Sequence, residues 1–96
     1  MYARVVTAHI QPGRMDEAID IFRDSIKPAA SQQKGYKGGY FLTDPETGKA
    51  ISIALWETEA DMTAGESSGY LREQVAKVAP IFTAPPTTEH FEVSVE

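Results

Sequence analysis

His9 and His90 are the only two histidines, and the side chains best suited to move a proton near neutral pH. Each falls at the end of an extended segment, where a half-exposed histidine with no chemical role is the plainer reading. They are far apart in sequence, and no carboxylate sits at ligand spacing, so a metal site is not expected. Ser52 and Trp56 belong to one short apolar run, KAISIALWE, and fall on the same side of it if it is extended. A serine hydroxyl can donate to a substrate oxygen. A tryptophan at a strand end offers a substrate platform, or it simply packs in a core or interface. Tyr36, Tyr40 and Tyr70 could line a pocket and hydrogen-bond a ligand. Tyr36 could equally cap the glycine-rich loop around it, and Tyr70 could anchor a helix. Phe22 and Phe41 fit either a pocket wall or a core.

Other chemistries lack their residues. The chain has no cysteine, which excludes disulfides, thiolate metal sites, Fe–S clusters and a cysteine nucleophile. GYKGG lacks the spacing and helix context of a phosphate-binding loop. Ser25, Ser31, Ser67 and Ser68 lack the G-x-S-x-G setting of an acyl-transfer nucleophile. The net charge is −5, and the nine Lys and Arg are scattered, so neither nucleic acid nor an anionic membrane is an expected partner. No run approaches the roughly 18–20 apolar residues of a membrane span. MYARVVTAHI does not resemble a secretory leader, and a cytoplasmic location is expected. Ninety-six residues correspond to one domain, 1–96, and a chain this small often gains stability by oligomerising.

The elements that must position these residues follow from periodicity. Residues 2–10 read as a strand ended by Gln11-Pro12-Gly13. Residues 14–33 read as a helix, with Met15, Ile19, Phe22 and Ile26 at helical spacing and Pro28 expected to kink or end it. A glycine-rich connection, 34–39, leads to a strand at 40–43. Asp44-Pro45-Glu46-Thr47-Gly48 turns the chain into a third strand, 49–56, making a hairpin. Thr58 reads as a helix cap. The helix after it is expected to break at Gly65 and Ser67-Ser68-Gly69, and to resume at Tyr70 with Leu71, Val75, Val78 and Phe82 as its apolar stripe. Residues 88–95 alternate as a last strand, with Glu89, His90 and Glu92 toward solvent.

The order β-α-β-β-α-β specifies an α+β, ferredoxin-like fold: a four-stranded antiparallel sheet with helices on one face. The third strand has no polar face. Ile51, Ile53 and Leu55 alternate with Ser52, Ala54 and Trp56. Such a strand is normally covered on both sides, so a second copy of the chain is expected on the helix-free face. The first and last strands are taken to lie in opposite halves of the sheet, so the proximity of His9 and His90 is not assured.

Several motifs in this order resemble the antibiotic biosynthesis monooxygenase-like domains of the dimeric α+β barrel superfamily. They are Pro12-Gly13 before the first helix, Gly35-Tyr36-Lys37-Gly38-Gly39 before Tyr40-Phe41-Leu42, Trp56-Glu57-Thr58 before an acid-rich helix, the Ser-Gly-Tyr break, and Pro85-Pro86 before the final strand. The resemblance implies a homodimer with two sheets face to face and one apolar cavity per chain between helices and sheet. It also implies a cofactor-independent monooxygenase acting on a small aromatic, polyketide-like compound. On this reading His9, Ser52 and Trp56 are the catalytic candidates, and Phe22, Tyr36, Phe41 and Tyr70 bind the substrate, with no cofactor and no metal. The oxygenase branch carries an asparagine where this chain has Ser52. The haem-degrading branch needs residues at places held here by Val6, Gly65 and Val75, which cannot supply its chemistry. The rival expectation is a non-catalytic dimer that binds a hydrophobic small molecule, or a stress-related protein.

Overall fold

The computed structural model describes residues 1–96. Four strands, β1 (Tyr2–His9), β2 (Tyr36–Asp44), β3 (Lys49–Trp56) and β4 (Thr87–Glu92), form one antiparallel sheet in the order β2-β3-β1-β4. The expectation that the first and last strands lie in opposite halves is therefore wrong. The two βαβ halves interleave, which makes β1 and β3 central and sets β4 directly beside β1, with His90 opposite Arg4. His9 and His90 still do not meet, because His9 lies at the far end of β1, paired with Lys49.

Side-chain alternation gives the sheet two faces. The helix-covered face carries Arg4, Val6 and Ala8 from β1 and Ala50, Ser52, Ala54 and Trp56 from β3. The open face carries Val5, Ile51, Ile53 and Leu55, flanked by the exposed Tyr40, Leu42 and Phe91. Ile10, Ala18, Ala50 and Ile81 make the small fully buried cluster under the helices.

β2 begins earlier than its sequence suggests. Gly38 and Gly39 belong to the strand, with a bulge between Tyr36 and Gly38. Gly39 must be glycine, since a Cβ there would collide with the Ile53 carbonyl oxygen. β4 is shorter than its alternation implies. It ends at Glu92, and the Val93 N–H donates instead to the Met1 carbonyl at 2.9 Å.

The first helical segment runs through Pro28 instead of ending there. α1 (Met15–Ile21) passes into a π-helical turn, Phe22–Ile26, and then α2 (Lys27–Ser31). Proline lacks an N–H, and its ring would crowd the carbonyl four residues earlier, at Asp24. The wider turn just before it accommodates both defects without breaking the helix. The second half has two helices, α3 (Glu59–Ser67) and α4 (Tyr70–Val78), followed by a 3-10 turn at Ala79–Ile81. Thr58 caps α3, its Oγ1 accepting from the Asp61 N–H at 3.1 Å. Gly65 does not interrupt α3. The break lies at Gly69, whose φ of 87° favours glycine. No helix is long and apolar enough to cross a membrane.

Candidate functional site

The helices do not pack flush against the sheet. A cavity of about 80 Å³ remains, walled by Val6, Ala8 and Ala50 below and by Phe22, Ile26, Leu71, Val75 and Val78 above. Ser52 and Gln74 are its two polar side chains. The π-helical turn supplies Phe22 and Ile26. Phe22 stacks on Phe41 of β2, ring centroids 4.4 Å apart and planes 10° from parallel, closing that side. Gln74 stands within the apolar stripe of α4, buried, its Oε1 accepting from Lys77 Nζ at 2.8 Å.

A second space of about 50 Å³ adjoins the first, sharing Val6, Phe22, Ile26, Ser52, Leu71 and Gln74, and adding Arg4, Tyr36, Trp56 and Tyr70. Trp56 is 1% exposed, and its indole Nε1–H is buried without a hydrogen-bond partner. An unmet buried donor costs about 1–3 kcal/mol. The Tyr36 ring meets the Trp56 ring edge-on at 5.5 Å, and the Arg4 guanidinium lies 5.2 Å from the Trp56 ring centroid, within cation–π range.

Arg4 is 3% exposed. Its Nη1 donates to the Met62 carbonyl of α3 at 2.9 Å and lies 3.7 Å from Glu66 Oε2. His90 Nε2 lies 2.9 Å from both Glu66 oxygens, so one carboxylate joins β4 to β1 across α3. Burial pulls the guanidinium pKa down, and the nearby Glu66 and Tyr70 oppose that pull. The group stays cationic, as arginine does in proteins. Burial holds the Tyr36 phenol above its ordinary range. It does the same for Tyr70, where Arg4 opposes the shift and Tyr36 adds to it. Both tyrosines therefore enter the site as neutral hydroxyls at physiological pH. Gly65 packs close beneath this group: a Cβ there would sit 3.3 Å from Tyr70 Cδ2, which would have to give by a few tenths of an ångström, and 3.5 Å from Arg4 Nη1, an ordinary contact.

Ser52, Trp56, Phe22, Tyr36, Phe41 and Tyr70 thus converge on the helix-covered face. His9 does not. It is exposed, and alternation along β1 directs it to the open face, away from Ser52 and Trp56. Tyr40, 64% exposed on the open face, lines no part of this cavity. His90 lies exposed, on the solvated edge expected of it, with its Nε2 2.9 Å from both Glu66 oxygens. Arg4 and Gln74 line the site without belonging to any sequence motif, and Glu66 contacts Arg4 from α3. Arg4 had a signal: it shares parity with the apolar Val6, Ala8 and Ile10.

The sequence profile of the antibiotic biosynthesis monooxygenase family matches residues 1–77. The uncharacterized protein Rv2557 of Mycobacterium tuberculosis is 32% identical over 98 residues, covering 98% of this chain and 41% of its own length. This chain therefore spans about two fifths of the mycobacterial relative. The uncharacterized protein YczJ of Bacillus subtilis is 33% identical over 94 residues, covering 96% of this chain and 98% of its own. Among solved structures, a monooxygenase from the gene ActVA-Orf6 of Streptomyces coelicolor, in complex with the ligand Nanaomycin D, superposes with a TM-score of 0.74. It is 17% identical, over 99% of this chain and 88% of that one, a likeness of fold alone. With strand order, helix placement and sequence profile in agreement, the chain belongs to the antibiotic biosynthesis monooxygenase family.

Proposed function

We propose that the cavity takes a small planar aromatic compound and that the protein oxidises it with molecular oxygen, without a cofactor. The observation that carries this reading is the apolar cavity itself. It is bounded by aromatic rings and carries polar groups at few, defined places, the usual character of a small-molecule site. The complex of the Streptomyces coelicolor neighbour with Nanaomycin D supports a small-molecule ligand. In the reaction, an activated CH₂ flanked by aromatic rings, as in an anthrone, loses a proton to water. Ser52 and Gln74 donate to the carbonyl oxygen on which the resulting charge develops. The carbanion passes an electron to O₂, the two radicals combine as a peroxide, and loss of water leaves a new carbonyl. One oxygen atom ends in product and one in water, with the substrate as the sole reductant.

The open sheet face is the proposed homodimer interface, with Ile51, Ile53 and Leu55 against a second copy, and the proposed setting is the cytoplasm. The whole chain, 1–96, would then act as one domain within each protomer.

A second reading has its own support. The cavity holds no imidazole, since His9 faces away, and Ser52 stands where the oxygenase branch has an asparagine. A non-catalytic dimer that binds an aromatic molecule would need neither group. Oxygen uptake by the pure protein with a panel of anthrones and quinols separates the two. Turnover is expected, reduced at least about tenfold in Ser52→Ala and unchanged in His9→Ala. Binding with no oxygen uptake leaves the non-catalytic reading.

A further inference from the structure

The smaller of the two spaces is lined by Arg4 and Trp56, whose side-chain donors the protein satisfies only in part. The Trp56 Nε1–H, a donor only, is buried with no acceptor. Beside it Arg4, at 3% exposure, offers five N–H donors, of which the Met62 carbonyl takes one, from Nη1. Its charge has one loose partner. Glu66 Oε2 lies 3.7 Å from Nη1, an ion pair too long for a hydrogen bond. Both Glu66 oxygens are instead at 2.9 Å from His90, and the side chain is 29% exposed. A cation withdrawn from water is normally paired and hydrogen-bonded, because an unpaired one is expensive to bury. The remaining neighbours, Tyr36 and Tyr70, are neutral hydroxyls and supply no negative charge.

We infer that this smaller space binds the acidic oxygen of an aromatic ligand, a carboxylate or phenolate, with Arg4 as its counter-charge and the indole N–H of Trp56 as a second donor. The inference rests on the cavity being a ligand site, as proposed above, and does not require oxygen chemistry. The geometry suits a flat acid. Arg4 lies over the Trp56 ring at 5.2 Å, so the cation is already held against an aromatic surface. Gly65 leaves Arg4 and Tyr70 room to line the same wall. Ser52 lines both spaces, and the rest of the ring system would lie in the larger, more apolar one. An aromatic acid or phenol is favoured there over its neutral or cationic isostere.

Titration of the protein with 2-naphthoate and with its neutral isostere 2-naphthamide tests this directly. Calorimetry gives the affinities, and Trp56, the only tryptophan, reports occupancy by fluorescence. The acid is expected to bind about tenfold or more tighter than the amide. 4-Nitrophenol is the phenolate arm: bound beside Arg4 it should ionise further at constant pH, read by its own absorbance. A preference in either arm supports the inference and names the oxygen. Arg4→Met should bring acid and amide to parity while amide binding persists, and a preference that survives the substitution overturns the assignment to Arg4. Should that variant not fold, the wild-type comparison still decides. Amide bound as tightly as acid, with no extra nitrophenolate, overturns this inference alone. Failure of every aromatic to bind overturns the cavity reading along with it.

Discussion

Arg4 and Trp56 show how little a residue type says until its neighbours are known. An arginine in a β-strand is ordinarily a surface residue. Here its stem crosses the covered face, its head meets the Trp56 ring, and its charge keeps only a long contact with Glu66. The tyrosines of this site allow a spectroscopic check. Burial raises the pKa of Tyr36 and Tyr70 above 10.0, so both stay protonated in the fold after an unfolded chain would have ionised them. A folded pKa above the unfolded one favours the protonated native state. That contribution is complete below about pH 10 and is lost as pH rises through the folded values. Tyrosinate absorbance should therefore show a late component above the ordinary phenol range. The component should shrink in Tyr36→Phe and again in Tyr70→Phe, and melting temperature should fall over the same interval. A single titration at the ordinary phenol pKa would contradict the burial of both rings. Parity along β1 groups Arg4 with Val6 and Ala8, but alternation alone does not say which side the helices cover. The missing acceptor of Trp56 was not legible, because it depends on three chain segments meeting.

The helical elements are shaped around exceptions to their own rules. Pro28 should end a helix, and a π-helical turn immediately before it lets the helix continue. That turn is also what sets Phe22 and Ile26 over the cavity. At the other helix pair the hinge is Gly69, at φ 87° with open space around it. Gly69→Ala should therefore cost about 1 kcal/mol through backbone strain alone. For a domain of this size that lowers the melting temperature by roughly 4–8 °C. Aromatic binding should persist in this variant, since no Cβ contact is made there. An unchanged melting temperature would mean that the junction between α3 and α4 tolerates another conformation. Gly65 and Gly69 look alike in the sequence, and both were expected to break the helix. One instead yields space to Arg4 and Tyr70, and only the other breaks it, a distinction that neighbours decide and local propensity does not.

For the molecule as a whole, the open sheet face is the largest unanswered feature of a single chain. Val5, Ile53, Leu55, Tyr40, Leu42 and Phe91 form an apolar surface with no helix over it. Sedimentation at micromolar concentration should give about twice the 10.5 kDa chain mass. Ile53→Glu should shift that to a single chain, since burying an unpaired carboxylate at the centre of an interface is strongly unfavourable. A monomeric wild type would remove the proposed dimer and leave the cavity, which one chain completes, as it stands.

From its sequence alone this protein is an α+β chain with a third strand apolar on both faces, because alternation with period two and helical stripes with period near 3.6 are local properties. The motif order, Pro12-Gly13 to Trp56-Glu57-Thr58, was also enough to indicate the family. Tertiary structure decided what those elements bring together. It interleaved the two halves so that β4 lies beside β1, turned His9 away from Ser52 and Trp56, and set Arg4 against the indole with Glu66 as a partner 3.7 Å away. Each of these depends on contacts between residues remote in the chain. Whether a buried charge is answered from within the protein, or left for a ligand, is a property of that assembled neighbourhood.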